Sequence, residues 1–269
     1  QAGIGNGQLH MLPVVLGSAS VLLLATGPAR WGRDLLAAGC FAVALSKPSL
    51  TLPFAPLVLL VPGRLRPTLL LVALYGVLTW IAVWPQPAPL PDLAALWVER
   101  ALAGATNGAN DGGDANTQTL LQYAGWWQAG RLVVIGWWTG LAAWAYGHRR
   151  ADPLLLLGIA GIVSRVSMYH RLYDDVLVIP ALLALLRVAT NARSATGRPR
   201  GLRATAGALA ALTFLAMWIP RWWLTDEVQL SIMRLLLWLL DLLVLTRVCA
   251  WDARPQVSGT PPRVVESPS

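Results

Sequence analysis

Three polar clusters and one embedded arginine interrupt a largely apolar chain. Asn6, Gly7 and Gln8, with His10, precede the first apolar run, Lys47 lies in Ser46-Lys47-Pro48 between two others, and Tyr169-His170-Arg171-Leu172-Tyr173-Asp174-Asp175 separates two later ones. Lysine, arginine, amide and imidazole donors suit a phosphate-bearing ligand, whereas carboxylates suit sugar hydroxyls, a metal or a proton. Each cluster also has a plain reading: Lys47 as a cation snorkelling from a helix end, and 169 to 175 as a solvated, ion-paired turn. Lys47 stands apart because it is the only lysine beside twenty arginines. Arg165 sits inside an apolar run, four and five residues before Tyr169 and His170, where a cation is costly and is a functional-site candidate by default. Arg234 and Asp241, seven apart on the last apolar segment, lie on roughly one helical face and are expected to pair with each other or with a neighbour.

The elements that must position these groups follow from composition. With 269 residues, 56% of them hydrophobic and 13% charged, and a mean hydropathy of +0.55, the chain has too little polar surface to coat a soluble globule. The fold class is all-α: a polytopic membrane helix bundle of about eight or nine hydrophobic segments, near 9–27, 35–45, 49–62, 67–84, 131–147, 153–168, 176–189, 204–220 and 229–250. Segments 35–45 and 49–62 are too short to span, and with Pro48, Pro53, Pro56 and Pro62 they predict two short, broken helices meeting at Lys47. Cys40 and Cys249, far apart in or beside apolar segments, suggest helix packing and neither a disulfide framework nor a metal cluster. A GxxxxGK[ST] loop, a CxxC pair and an HExxH motif are all lacking, so soluble nucleotide chemistry has no support.

The net charge of +8 is a topology signal, because the arginines are spread among short connections and form no single basic face. Arg30, Arg33, Arg64, Arg66, Arg149 and Arg150, then Arg187, Arg193, Arg198, Arg200, Arg203, Arg247, Arg254 and Arg263, fall in alternate connections and are assigned inside. The opposite connections hold Lys47, Arg100, Arg131, Arg171 and Arg221 against eight carboxylates. This alternation requires residues 35–62 to enter and return, which puts Lys47 on the outer side with the other two polar clusters. The long connection 85–130 predicts an amphipathic helix over 92–104 on the membrane surface, then a turn-rich loop from Asn107 to Asp114. Trp126 and Trp127, like Trp222 and Trp223, mark outer boundaries. The domain division is a transmembrane domain over 1–251 and a disordered, cytoplasmic tail over 252–269.

Asn6-Gly7-Gln8 opening a hydrophobic helix, Ala44-Leu45-Ser46-Lys47-Pro48 followed by proline-broken apolar sequence, and the basic turn Gly63-Arg64-Leu65-Arg66 together resemble the bacterial family-87 glycosyltransferases. Ser167-Met168-Tyr169-His170, leading into Tyr173-Asp174 and an apolar helix with Pro180, is similar to the second polar patch of that family. The resemblance covers roughly residues 3–190. It implies a multi-pass transferase of the C-type superfamily in a bacterial plasma membrane, taking a hexose, typically mannose, from a polyprenyl-phosphate donor at the outer face. The partners it implies are that lipid-linked donor and a lipid or glycan acceptor; the residues themselves name no metal site or certain cofactor, and the spread of the arginines gives no nucleic-acid face. Lys47 and Arg165 or Arg171 are then expected on the donor phosphate, with Asn6, Gln8, His170 and Tyr173 orienting donor or acceptor. The family's base is usually an aspartate in an outer loop upstream of the Gln motif. The chain, which begins at Gln1, is therefore expected to be a fragment lacking it, with Asp174 and Asp175 as the substitutes available. A transporter or flippase for lipid-linked or anionic substrates, and a non-catalytic membrane subunit, are the competing readings, although transporters often pair broken helices in two halves and this chain shows one such hairpin.

Overall fold

A computed structural model describes residues 11–62, 65–107, 116–117, 120–121, 124–167, 172–190, 198–218 and 227–253. All regular structure among the described residues is helical, in agreement with the all-α expectation. In chain order the helices are α1 (Met11–Ala25), α2 (Trp31–Ala44), α3 (Pro48–Thr51), α4 (Ala55–Leu59), α5 (Arg66–Val83), α6 (Leu90–Asn107), α7 (Gly130–Gly147), α8 (Pro153–Ser167), α9 (Ile179–Thr190), α10 (Arg200–Trp218) and α11 (Glu227–Asp252). Single 3-10 segments, Leu52–Phe54, Trp127–Ala129 and Leu172–Val178, join or precede some of them. Among the described residues two helices, α5 and α10, are long and apolar enough to cross a membrane, while α1, the 48–59 arm, most of α7 and α8 are shorter apolar helices.

The helix ends follow the sequence. α1 tolerates Pro13 because it lies in the first turn, and Gly27 and Pro28 stop continuation beyond Thr26. Helices α1 and α2 approach closely through small residues. A Cβ built on Gly17 would already be in van der Waals contact with Phe41, Ala44 and Thr51 at 3.8–3.9 Å, and the Ser20 hydroxyl donates to the Ala37 carbonyl at 2.8 Å. The chain then reverses at Leu45 to Lys47, as the Ser-Lys-Pro spacing predicts. Only one arm of this hairpin is broken, which corrects the expectation of two. α2 has no proline and runs unbroken for 14 residues, whereas every proline of the pair is in the return arm, dividing it into α3, a 3-10 turn and α4.

Helix α8 is the centre of the bundle, and its residues from Leu155 to Ser167 are all buried. It packs against α1, the return arm, α7, the Leu172–Val178 turn, α9 and α11. α5 is the opposite case: only Pro67 and Leu71 are buried, and Leu69, Val72, Trp80, Ile81 and Trp84 point outward. Together with Leu212, Phe214, Leu215 and Trp218 on α10, they give the bundle a large apolar exterior of a kind that water-facing monomers rarely carry. Helix α6 lies where an amphipathic helix was expected, with Leu90, Leu96 and Val98 exposed.

Alternate connections meet at the same end. Ala25, Thr26, residues 60–62, residues 149–153 and Arg187 line one cavity, and nearby connections are held by arginine pairs. Arg66 Nε donates to buried Asp34 at 2.7 Å and its guanidinium lies 4.5 Å from the Trp31 ring centre. Arg187 pairs with Asp152 at 3.0 Å, and Arg198 Nε donates to Asp252 at 3.0 Å. Asp252 is thus the paired last residue of α11, one position into the stretch expected to be disordered tail, and residues 254–269 lie outside the described residues.

Candidate functional site

Arg165, in the last turn of α8, has no exposed surface. Its Nε donates to Asp175 Oδ1 at 2.7 Å, and its guanidinium carbon lies 4.7 Å from the centre of the Trp238 ring on α11. The other carboxylate oxygen of Asp175 is 3.9 Å from Nη1 of Arg234, also on α11. Arg234 Nη2 donates to the Ala216 carbonyl of α10 at 2.9 Å. Asp175, 6% exposed, therefore sits between two arginines from different helices. The three side chains hold two positive charges and one negative, in a place where an uncompensated charge is expensive. Among the described residues, the two terminal nitrogens of Arg165 have no hydrogen-bond acceptor. A planar fork with one edge fixed and its terminal N–H groups unspent is a ready site for an anionic oxygen.

Close backbone approach makes this geometry. A Cβ built on Gly161 would lie 2.2 Å from the carbonyl oxygen of Leu177, so only a residue without a side chain lets the turn that carries Asp175 pack onto α8. Gly158, one turn earlier, makes a less extreme approach to α9, where its Cβ would meet Ala181 Cα at 3.0 Å. Gly161→Ala is accordingly expected to destabilise the protein by about 1–3 kcal/mol through forced separation of the turn from α8. Thermal unfolding in detergent measures the loss, and an unchanged midpoint would contradict the close packing.

The end of α8 gathers further polar contacts. The Ser164 hydroxyl donates to the Leu50 carbonyl of the return arm at 3.0 Å. Lys47, half-buried, is the residue just before α3, and its carbonyl accepts from the Leu50 N–H at 3.1 Å and the Thr51 hydroxyl at 3.3 Å. The Lys47 turn is therefore tied to the residue next to Arg165. Thr117, from the long connection after α6, donates to the Val166 carbonyl at 2.9 Å, and Trp138 Nε1 on α7 donates to the Ser167 hydroxyl at 3.1 Å. The Thr117 bond satisfies one of the carbonyls that a helix end leaves without an intrahelical partner.

Of the residues expected to carry chemistry, Arg165 and Asp175 are brought into contact and Lys47 is placed at the same end of the bundle. Tyr173 and Asp174 are on the backbone of the Leu172–Val178 turn. Asn6, Gln8, His10, Tyr169, His170 and Arg171 lie outside the described residues. Arg234 and Asp241 do not pair with each other: Asp241 accepts from the Thr213 hydroxyl of α10 at 2.7 Å, while Arg234 turns to Asp175 and Ala216. Residues seven apart are separated by about 10 Å along a helix axis, so each finds a neighbour on another element. The roles of Arg234 and Trp238 in the cluster had one signal in the sequence, their spacing of four, which places them on one face of α11. Among the described residues, no group of three or more His, Cys, Asp or Glu is arranged to hold a metal ion.

No protein-family model matches the chain, and no curated protein or solved structure matches it at a significant level.

Proposed function

We propose that the chain is part of a membrane glycosyltransferase that passes a hexose, mannose by the resemblance, from a polyprenyl-phosphate donor to an envelope lipid or glycan at the outer face of a bacterial plasma membrane. The observation that carries this reading is the buried Arg165, Asp175 and Arg234 cluster. Among the described residues it sets two guanidiniums around one carboxylate, leaves the terminal nitrogens of Arg165 without an acceptor, and lies beside the Lys47 turn. A phosphate would give those nitrogens charged acceptors, a stronger match to a guanidinium than the uncharged oxygens of a neutral ligand.

In the transfer, the acceptor hydroxyl oxygen bonds to the anomeric carbon, and the bond from that carbon to the phosphate oxygen breaks with its electron pair leaving on polyprenyl phosphate. Negative charge on the phosphate grows as this bond lengthens, so cations fixed beforehand on its oxygens stabilise the transition state more than the bound donor. Arg165 and Lys47 take that role. Asp175 holds Arg165 in place, and the acceptor proton goes to another carboxylate, of which Asp174 is the nearest in sequence. The reading embeds the bundle as a multi-pass protein with the arginine-rich end inside. Support comes from the gathering of alternate connections at that end, the apolar exterior, and exposed Trp84 and Trp126 in the connection that leaves from the opposite one.

Lys47→Ala is expected to lower kcat/KM for a polyprenyl-phosphate-mannose donor by about 10- to 100-fold, the value of one charge-assisted contact. The assay uses protein reconstituted in bilayers and follows labelled sugar from donor to acceptor. Transfer at the unsubstituted rate removes Lys47 from the site, and transfer from no lipid-phosphate sugar rejects the function.

A further inference from the structure

The cavity at the arginine-rich end takes no part in this chemistry. It holds about 550 Å³, and among the described residues its charged lining is Arg149, Arg150 and Arg187 against one carboxylate, Asp152. That carboxylate is already committed. Asp152 Oδ1 accepts from the Leu154 N–H at 2.9 Å, capping α8, and from Arg187 at 3.2 Å. Arg149 spends one nitrogen on the Tyr146 carbonyl at 2.9 Å and lies 4.2 Å from the Tyr146 ring centre, while Arg150 is exposed and in no ion pair among the described residues. Among the described residues, neither Arg149 nor Arg150, both lining the hollow, is in an ion pair, and Asp252, on their other side, is bonded to Arg198.

The opposite wall is apolar: Leu24 of α1, Leu57 of α4, Leu60 and Leu156. It exists because the return arm ends at Leu59, leaving between the ends of α1, α4 and α7 a gap that no side chain of the described residues fills. The wall continues onto the outside of the bundle through Leu22 and Leu59, both exposed. A cationic rim joined to an apolar wall that opens sideways matches a molecule with a phosphate at one end and a hydrocarbon chain at the other.

We propose that this hollow binds an anionic phospholipid, with its phosphate on Arg149 and Arg150 and one acyl chain along Leu24, Leu57 and Leu60. The proposal shares with the transferase reading only the embedding of the bundle in a membrane. It is tested by a lipid-binding measurement to which sugar transfer is irrelevant, so the two fail separately.

Protein in neutral detergent is heated with phosphatidylglycerol, with phosphatidylcholine and with inorganic phosphate. Phosphatidylglycerol at ten times its dissociation constant is expected to raise the midpoint by about 3 °C, an effect that shrinks with added salt and is lost in the double variant Arg149→Gln, Arg150→Gln. An equal rise with phosphatidylcholine, an equal rise with inorganic phosphate alone, or full retention by the double variant would each overturn the proposal. Should that variant not fold, hydrogen exchange of the unsubstituted protein decides. Protection by phosphatidylglycerol over 56–62 and 145–156 supports the site, and protection confined to other segments refutes it.

Discussion

Arg165→Met is expected to destabilise the protein by about 3–5 kcal/mol, the usual cost of removing one partner from a buried ion pair. The substitution removes the 2.7 Å bond to Asp175 and the cation over Trp238, and leaves a nearly inaccessible carboxylate facing Arg234 at 3.9 Å. Most of that cost arises from the stranded carboxylate. Adding Asp175→Leu to Arg165→Met should therefore recover at least about 2 kcal/mol, as measured by thermal unfolding of the four proteins of the cycle. Additive losses would mean that the two side chains are not coupled. Arg165→Lys separates stability from chemistry. It keeps the charge but cannot both bond Asp175 and lay a planar face on the indole, so it should fold better than the methionine variant yet transfer sugar at about one hundredth of the rate or less.

Asp175→Asn divides two roles that share one position. The asparagine takes from Arg165 the carboxylate that its Nε bonds and from Arg234 a carboxylate 3.9 Å away, and a loss of about 2–4 kcal/mol is expected by the same argument. Its kinetics are more telling. With Asp175 as the residue that positions Arg165, the substitution should lower kcat by about tenfold, with the acid limb of the kcat profile retained because the base is elsewhere. As the base itself, it would take about 10²- to 10⁴-fold of kcat with it and erase that limb. Retention of the acid limb is the outcome the geometry predicts, since both oxygens of Asp175 are directed at arginines.

What the sequence made legible was local. Ser46-Lys47-Pro48 marks the hairpin turn because proline is well placed at the first position of a helix and badly placed inside one. Arg165 could be singled out because its neighbours were apolar over several turns. The alternation of basic connections was readable for the same reason: it needs only the order of segments. What stayed hidden was any contact set by how helices cross. Asp34 is buried by its bond to Arg66, a partner 32 residues away, and nothing within α2 announces it. The pairing of Asp175 with Arg234 depends on α11 packing against α8, which no periodicity along either segment encodes. The unbroken α2 was misread because a short apolar window was paired with prolines that all belong to the next arm.

The length of α8 has a consequence for the surrounding lipid. Fifteen residues rise about 22 Å, against a hydrocarbon core of about 30 Å, yet this helix carries Asp152 just before one end and Arg165 near the other. In the proposed orientation the two polar layers are thus closer together than the two headgroup planes of an ordinary bilayer. The mismatch can be met by thinning of the membrane around the bundle, and a lipid phosphate reaching Arg165 would then sit several ångströms deeper than its neighbours in the same leaflet.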